Sequence, residues 1–190
     1  MISTAVAPKA RDRLLAAADQ LFYDEGIHTV GIDRVIEQAG VAKATLYSAF
    51  GNKEGLILAY LQGRLERRQE RTQQALDKLD TPRERILGAF DVLDSYFREP
   101  GYHGCAFMNA IAESPRGSAV EAAADLSRAW TRSLFIDLAR ELGAAEPELL
   151  ARQLVQLYDG AIVSSRMDRD LNAAVTARET AAAIIDAAPR

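Results

Sequence analysis

The segment between Ile32 and Lys53 restricts the fold of this chain more than any other; it reads IDRVIEQAGVAKATLYSAFGNK. Its apolar residues recur at helical spacing up to Ala39, and Gly40 then supplies the left-handed residue that ends many helices. A three-residue turn and a second short helix follow, with Leu46 facing inward. The pattern predicts a helix-turn-helix, whose second helix enters the major groove of DNA.

The second helix of this motif leaves a polar face for DNA. Leu46 and Phe50 fill its inward positions, so Tyr47 is expected at the DNA surface rather than in the core. The outward residues predicted to face DNA are Lys43, Thr45, Tyr47 and Ser48.

The composition favours an all-α protein. Apolar residues make up 48% of the 190, alanine is abundant, and the 12 glycines and 6 prolines lie mainly at breaks between helical patterns. We expect nine helices, the first beginning near Pro8, with Asn52 capping the fourth and Thr81 capping the fifth in a capping box with Glu84. The predicted domains are 1–52, a helix-turn-helix domain that binds DNA, and 53–190.

The charge distribution indicates a local DNA contact. The net charge is −4, but residues 1–71 carry a net +1 and the rest a net −5. A uniformly basic DNA binder is therefore excluded. The chain has one cysteine, Cys105, so no internal disulfide is possible, and it has neither a signal-peptide core nor an apolar run of membrane-spanning length. We expect a soluble cytoplasmic protein that does not associate with membranes.

Residues 9–60 resemble the TetR/AcrR group of one-component bacterial regulators. The resemblance rests on a first helix that ends at Gly26 and on the sequence IDRVIEQAGVAKATLYSAFGNKEGL. Beyond residue 60, only the layout and the length are similar. The resemblance implies an all-α homodimer that represses transcription from a palindromic operator in double-stranded DNA. It also implies that residues 53–190 bind a ligand and dimerise, and that a small-molecule effector would enter this C-terminal domain and release the operator.

The resemblance also assigns individual DNA contacts. Lys43, Thr45 and Tyr47 match positions that touch bases and phosphates, and Lys53 matches a phosphate contact. Gly31 and Ala42 occupy cap positions where the family often has serine or threonine, so backbone N–H groups become the expected phosphate partners there. The predicted DNA-binding set is therefore Gly31, Lys43, Ala44, Thr45, Tyr47, Ser48 and Lys53.

The last two helices carry apolar stripes that suit a dimer interface. Two such helices from each of two chains would form a four-helix bundle, and small residues would let them approach closely. The alternative is that the stripes pack inside one chain; we favour the dimer because helix-turn-helix motifs act in pairs on two half-sites. The predicted interface comprises Leu150, Leu154, Leu157, Ala161, Ala174, Ala177, Ala181 and Ile184.

Large side chains on the fifth to eighth helices are candidates for an effector pocket. Most such residues belong to a core, but a cavity lined by some of them is the usual form of a ligand site between bundle helices. The effector would be mainly apolar or aromatic, with Asn109 and Tyr158 as polar contacts. The predicted set is Phe90, Leu93, Phe97, Phe107, Met108, Asn109, Trp130, Leu134 and Tyr158.

Other kinds of site have little support in the sequence. His103, Cys105 and Glu113 match no common zinc spacing, so no metal is expected, and no cofactor motif is present. No nucleophile elbow or phosphate loop suggests an enzyme. Two alternative functions stay open: a redox-sensing regulator that uses Cys105, and a helical module that binds protein.

Overall fold

A computed structural model of the protein describes residues 9–189, and within them the chain forms nine α-helices and no strand. This confirms the predicted all-α class. Pro8, the expected start of the first helix, lies outside the described residues. The helices are α1 (Ala10–Glu25), α2 (Ile32–Ala39), α3 (Lys43–Phe50), α4 (Lys53–Leu76), α5 (Pro82–Phe97), α6 (Ala106–Glu113), α7 (Ala119–Glu141), α8 (Pro147–Met167) and α9 (Ala173–Ala187).

Both predicted caps are present. The Oδ1 atom of Asn52 accepts a hydrogen bond from the N–H of Gly55 at 2.8 Å, in the first turn of α4. Thr81 and Glu84 form the reciprocal bonds of a capping box at the start of α5, with Pro82 at the first helical position. These signals involve residues three apart in the chain, which is why the sequence alone places both helix starts.

The described residues form two compact units. Unit 1 comprises the chain up to Arg64 together with residues 106–123, and unit 2 comprises residues 65–105 and 124–189. The predicted boundary at 52/53 coincides with the start of α4, whereas this division falls inside α4 and adds α6 to the N-terminal residues. The assignment of DNA binding to residues 1–52 and of ligand binding and dimerisation to 53–190 stays a prediction.

Unit 1 contains the helix-turn-helix. Helices α1, α2 and α3 pack against one another around Leu14, Ala18, Val35 and Leu46, each of which is buried. In unit 2, α9 packs against both α8 and α5. None of the helices in the described part of the chain is long and apolar enough to cross a membrane.

The apolar stripes of α8 and α9 face the core of unit 2. Leu154, Ala174 and Ala181 have no exposed surface, and the other members of the stripes join the same cluster or pack against it. Side chains as fully enclosed as these three cannot contact a partner, whereas Leu157 and Ile184 are only half-buried, so the interface predicted for the two stripes stays a prediction. The residues concerned are Leu150, Leu154, Leu157, Ala161, Ala174, Ala177, Ala181 and Ile184.

Candidate DNA-binding surface

The turn between α2 and α3 fixes the angle of the second helix. Gly40 adopts the left-handed conformation (φ 61°, ψ 45°), and its N–H donates to Glu37. The N–H of Val41 then reaches back to the carbonyl of Ile36 at 3.3 Å. A residue with a Cβ pays a steric penalty at such a φ, which explains the glycine. Leu46, fully buried, anchors α3 to unit 1.

Four of the five predicted α3 residues lie on one accessible face. Lys43, Ala44 and Ser48 are exposed, and Tyr47 exposes 45% of its surface. Thr45 is half-buried. Because residues four apart share a helix face, Lys43 lies in line with Tyr47, and Ala44 with Ser48.

The N-termini of α2 and α3 have no side-chain caps. Gly31 and Ala42 occupy the cap positions in extended conformation, and neither accepts a hydrogen bond through a side chain. The first N–H groups of a helix have no partner within it and attract anions. Both helix starts therefore suit a phosphate oxygen.

Lys43 forms an ion pair that the sequence pattern did not indicate. Its Nζ lies 2.8 Å from Oδ1 of Asp33 in the first turn of α2, and both side chains are exposed. The hydrogen bond to Asp33, together with the negative charge, raises the pKa of Lys43. Phosphates must therefore compete with an internal carboxylate for this ammonium group.

Lys53 lies at the start of α4 and is oriented toward the turn between α1 and α2. Its Nζ donates to the carbonyl of His28 at 3.3 Å. Partial burial lowers the pKa of Lys53, and the negative charge of Glu113 opposes that effect. The backbone packs closely here, because a Cβ at position 55 would lie 2.1 Å from the carbonyl oxygen of Phe50, so only glycine fits.

Two further side chains adjoin this surface. The guanidinium carbon of Arg11 lies 5.0 Å from the ring centroid of Phe50, a cation–π geometry that holds a basic α1 residue beside α3. Glu113, from α6, accepts a hydrogen bond from the N–H of His28 at 2.8 Å. Arg11 lies between Lys9 and Arg13 in a short basic segment of the sequence. Nothing in the sequence relates Glu113 to His28, 85 residues away.

The predicted effector residues divide between the two units. In unit 2, the rings of Phe90, Phe135 and Tyr158 pack with centroids 5.8–5.9 Å apart. Phe97 and Leu93 are buried in the same core, while Trp130 and Leu134 are half-buried. Three members lie on α6 in unit 1, where they are buried, exposed and half-buried respectively: Phe107, Met108 and Asn109.

Two arginines of α4, Arg64 and Arg68, are partly buried against other helices. In unit 1, Arg64 makes two hydrogen bonds, of 2.9 and 3.0 Å, to the carboxylate of Asp19. In unit 2, Arg68 is partly buried, donates to the hydroxyls of Ser127 at 2.9 Å and Thr131 at 3.2 Å, and lies over Trp130. These contacts join helices, so the arginines contribute to packing as well as to solubility.

One cleft of about 300 Å³ lies in unit 2, between the start of α8 and the end of α9. None of the predicted effector residues lines it; two residues of the predicted interface, Leu150 and Ile184, do. Cys105 is half-exposed and unbonded to any other cysteine. Among residues 9–189, no three histidine, cysteine or acidic side chains are placed to hold a metal ion.

Comparison with known proteins relates this surface to a family. Residues 14–60 match the model of the bacterial regulatory proteins of the tetR family. The chain is 31% identical over 135 residues to the HTH-type transcriptional activator FasR of Mycolicibacterium smegmatis, spanning 70% of this chain and 60% of FasR. It is 32% identical over 80 residues to the HTH-type transcriptional repressor KstR2 of the same organism, spanning 42% and 39%. The chain thus covers less than two thirds of the length of these relatives.

Solved structures match over nearly the full length. A TetR-family transcriptional regulator from Streptomyces coelicolor is 32% identical, with a TM-score of 0.88 over 95% of this chain and 96% of that one. A tetr-transcriptional regulator from Streptomyces avermitilis is 31% identical, with a TM-score of 0.81 over 95% and 98%. These proteins are regulators rather than enzymes, in agreement with the lack of a catalytic motif in the sequence.

Proposed function

The chain belongs to the TetR family of transcriptional regulators, and we propose that it acts as a homodimeric repressor that a small, mainly apolar molecule releases from a palindromic operator. The observation that carries the proposal is the exposed face of α3, which presents Lys43, Tyr47 and Ser48 beside an uncapped helix start. A helix of roughly 10–12 Å diameter fits the major groove, which is about 12 Å wide.

The proposed contacts divide into two kinds. The N-termini of α2 and α3, together with Lys53, bind phosphates and set the register of the protein on the duplex. Tyr47 and Ser48 reach base edges from α3, and Lys43 reaches both base edges and phosphates. Phosphate contacts make affinity depend on salt, whereas base contacts make it depend on sequence.

Lys53→Ala tests the phosphate contact. Binding to a fluorescein-labelled duplex of random sequence is measured by anisotropy over a series of salt concentrations. Each lost phosphate contact lowers the slope of log K against log salt by about 0.9, so a dimer should lose about 2. Lys78→Ala removes an exposed lysine from unit 2 and serves as the control. If a folded Lys53→Ala protein shows an unchanged slope of log K against log salt, Lys53 does not contact a phosphate.

Repression is the proposed sign of regulation. The two curated relatives have opposite signs in their names, one an activator and one a repressor. A transcriptional reporter placed behind a DNA sequence that the protein binds specifically distinguishes the two signs: repression lowers the signal when the protein is expressed. A reporter signal that rises when the protein is expressed would show that the protein is an activator.

The proposed effector site includes the unit 2 aromatic residues around Tyr158. Burial raises the pKa of its hydroxyl to about 12, so the group is a neutral hydrogen-bond donor and acceptor throughout the physiological range. A neutral phenol among phenylalanine rings suits an apolar or aromatic molecule with one polar group. The other effector-binding residues predicted from the sequence, which lie on α5, α6 and α7, remain part of the proposal.

The proposed dimer interface is the outward face of α8. Its residues recur every three to four positions: Leu149, Gln153, Gln156, Gly160, Val163 and Met167. Leu149, Val163 and Met167 expose 39%, 41% and 78% of their surface, much for apolar side chains. A Cβ at Gly160 would meet no atom within 4 Å, so a second helix has room to approach the backbone there.

Gly160→Glu tests this face. The new side chain costs the monomer little, because open space surrounds position 160 and glycine is a poor helix former. We expect a shift from dimer to monomer in sedimentation velocity, while thermal denaturation shows a folded chain. Ala129→Glu, on the exposed face of α7, is the control. A Gly160→Glu protein that stays dimeric places the interface elsewhere.

A further inference from the structure

The turn between α1 and α2 is shaped around the carboxylate of Glu113. One oxygen of Glu113 accepts the N–H of His28 at 2.8 Å. The other lies where a side chain on residue 26 would project: a Cβ there would be 2.8 Å from it. Residue 26 is a glycine, and its lack of a side chain leaves room for the Glu113 carboxylate. Its φ of +94° is also a conformation that residues with a Cβ rarely adopt.

Lys53 also binds His28, through the backbone carbonyl of that residue. His28 thus donates its N–H to Glu113 and accepts a hydrogen bond through its carbonyl from the ammonium of Lys53 at 3.3 Å. The negative charge of Glu113 also acts on Lys53 directly, raising its pKa against the larger effect of burial. The backbone of His28 is therefore hydrogen-bonded on one side to the Glu113 carboxylate from α6 and on the other to the Lys53 ammonium from α4.

We propose that Glu113 is a positioning residue for DNA binding: its carboxylate fixes the turn between α1 and α2 and, through His28, the orientation of the Lys53 ammonium toward a phosphate. The inference rests on the proposed DNA-binding function. Glu113 itself touches no DNA.

The positioning role of Glu113 and simple repulsion between its carboxylate and DNA phosphates predict opposite changes in DNA affinity for Glu113→Ala. Removing a negative charge from a DNA-binding unit strengthens its attraction to phosphates. Removing the acceptor of His28 N–H frees the turn, and Lys53 loses its fixed orientation. If Glu113 positions Lys53, the alanine variant binds DNA more weakly although it carries one negative charge fewer.

Three variants separate these effects, with wild type as reference. Glu113→Ala removes both the acceptor and the charge. Glu113→Gln keeps an amide oxygen that can accept the His28 N–H and removes only the charge. Glu179→Ala removes an exposed carboxylate from α9 and controls for net charge. Binding to the random-sequence duplex is measured over a salt series, and hydrogen exchange of the His28 amide is measured in the free protein.

For Glu113→Ala, we expect faster exchange at His28 and a salt slope lowered by up to about 2 per dimer, the value for two lost phosphate contacts. Glu113→Gln should retain slow exchange and the wild-type slope. The double variant Lys53→Ala/Glu113→Ala should bind like Lys53→Ala alone, because both changes remove the same contact.

Two results would overturn the inference. One is a folded Glu113→Ala protein that binds as tightly as wild type or more tightly with an unchanged slope. The other is a loss in Glu113→Gln as large as in Glu113→Ala, because charge rather than the acceptor would then be responsible. If wild type itself shows no salt-dependent binding, the proposed DNA-binding function fails, which is distinguishable because every variant then behaves alike.

Discussion

Replacing Tyr158 with phenylalanine should change how the stability of unit 2 responds to alkaline pH. The hydroxyl is buried among the rings of Phe90 and Phe135, and this burial raises its pKa from 10.0 to about 12, although the positive charge of Arg68 acts in the opposite direction. In the unfolded chain, the phenol is solvated and titrates near its ordinary value. Between about pH 10 and pH 12, the unfolded chain therefore loses a proton that the folded chain keeps.

The magnitude follows from the two pKa values. Stability from the protonated phenol is complete below about pH 10 and is lost as pH rises toward 12, because ionisation then favours the unfolded chain. A shift of two units corresponds to about 2.7 kcal/mol in total, of which about 1.4 kcal/mol is lost at pH 11. Tyr158→Phe has no proton to lose, so it should not show this part of the decline.

Urea denaturation followed by circular dichroism, at about pH 8 and about pH 11, measures the difference. Other titrating groups affect both proteins, so the expected result is a wild-type loss exceeding the variant's by about 1.4 kcal/mol. Leu154→Ala, in the same core, should lower stability by about 2–5 kcal/mol equally at both pH values, since it removes no titrating group. Equal losses in wild type and Tyr158→Phe would refute the reasoning.

Thr81→Ala should lower the free energy of unfolding by about 1 kcal/mol, because the capping box with Glu84 is lost, whereas Thr81→Ser should keep it; urea denaturation checks both, and equal stability of all three proteins would contradict the cap. Asp33→Asn should tighten binding to the random-sequence duplex at low salt, because Lys43 loses the carboxylate that competes with phosphates. Anisotropy checks this, and an affinity at or below that of wild type would show that Asp33 does not compete.

The local features of the fold could be predicted from the sequence. Asn52 and Thr81 were placed correctly because a cap depends on a residue three positions away. The turn at Gly40 and the buried Leu46 follow likewise from helical spacing and from the conformational freedom of glycine. The exposed positions of Lys43 and Tyr47 follow from the same spacing.

Features that depend on distant partners could not be predicted. The spacing of Leu154 and Ala161 shows that one side of α8 is apolar, but not whether it meets its own chain or another. The structure shows that it meets α9, and the outward face at Gly160 is too polar to stand out by hydropathy. The burial of Arg68 depends in the same way on Ser127 and Thr131, which lie about 60 residues further along the chain.

The composition of unit 1 has a consequence for building hybrid regulators. Exchanging residues 1–52 between two such proteins would assume that the N-terminal segment is an independent structural unit. Unit 1 also includes residues 106–123, and Glu113 within them supplies the acceptor for the His28 N–H. A hybrid joined at residue 52 would therefore pair a foreign residue 113 with this turn, and one that also transplants residues 106–123 keeps the donor and the acceptor from the same parent.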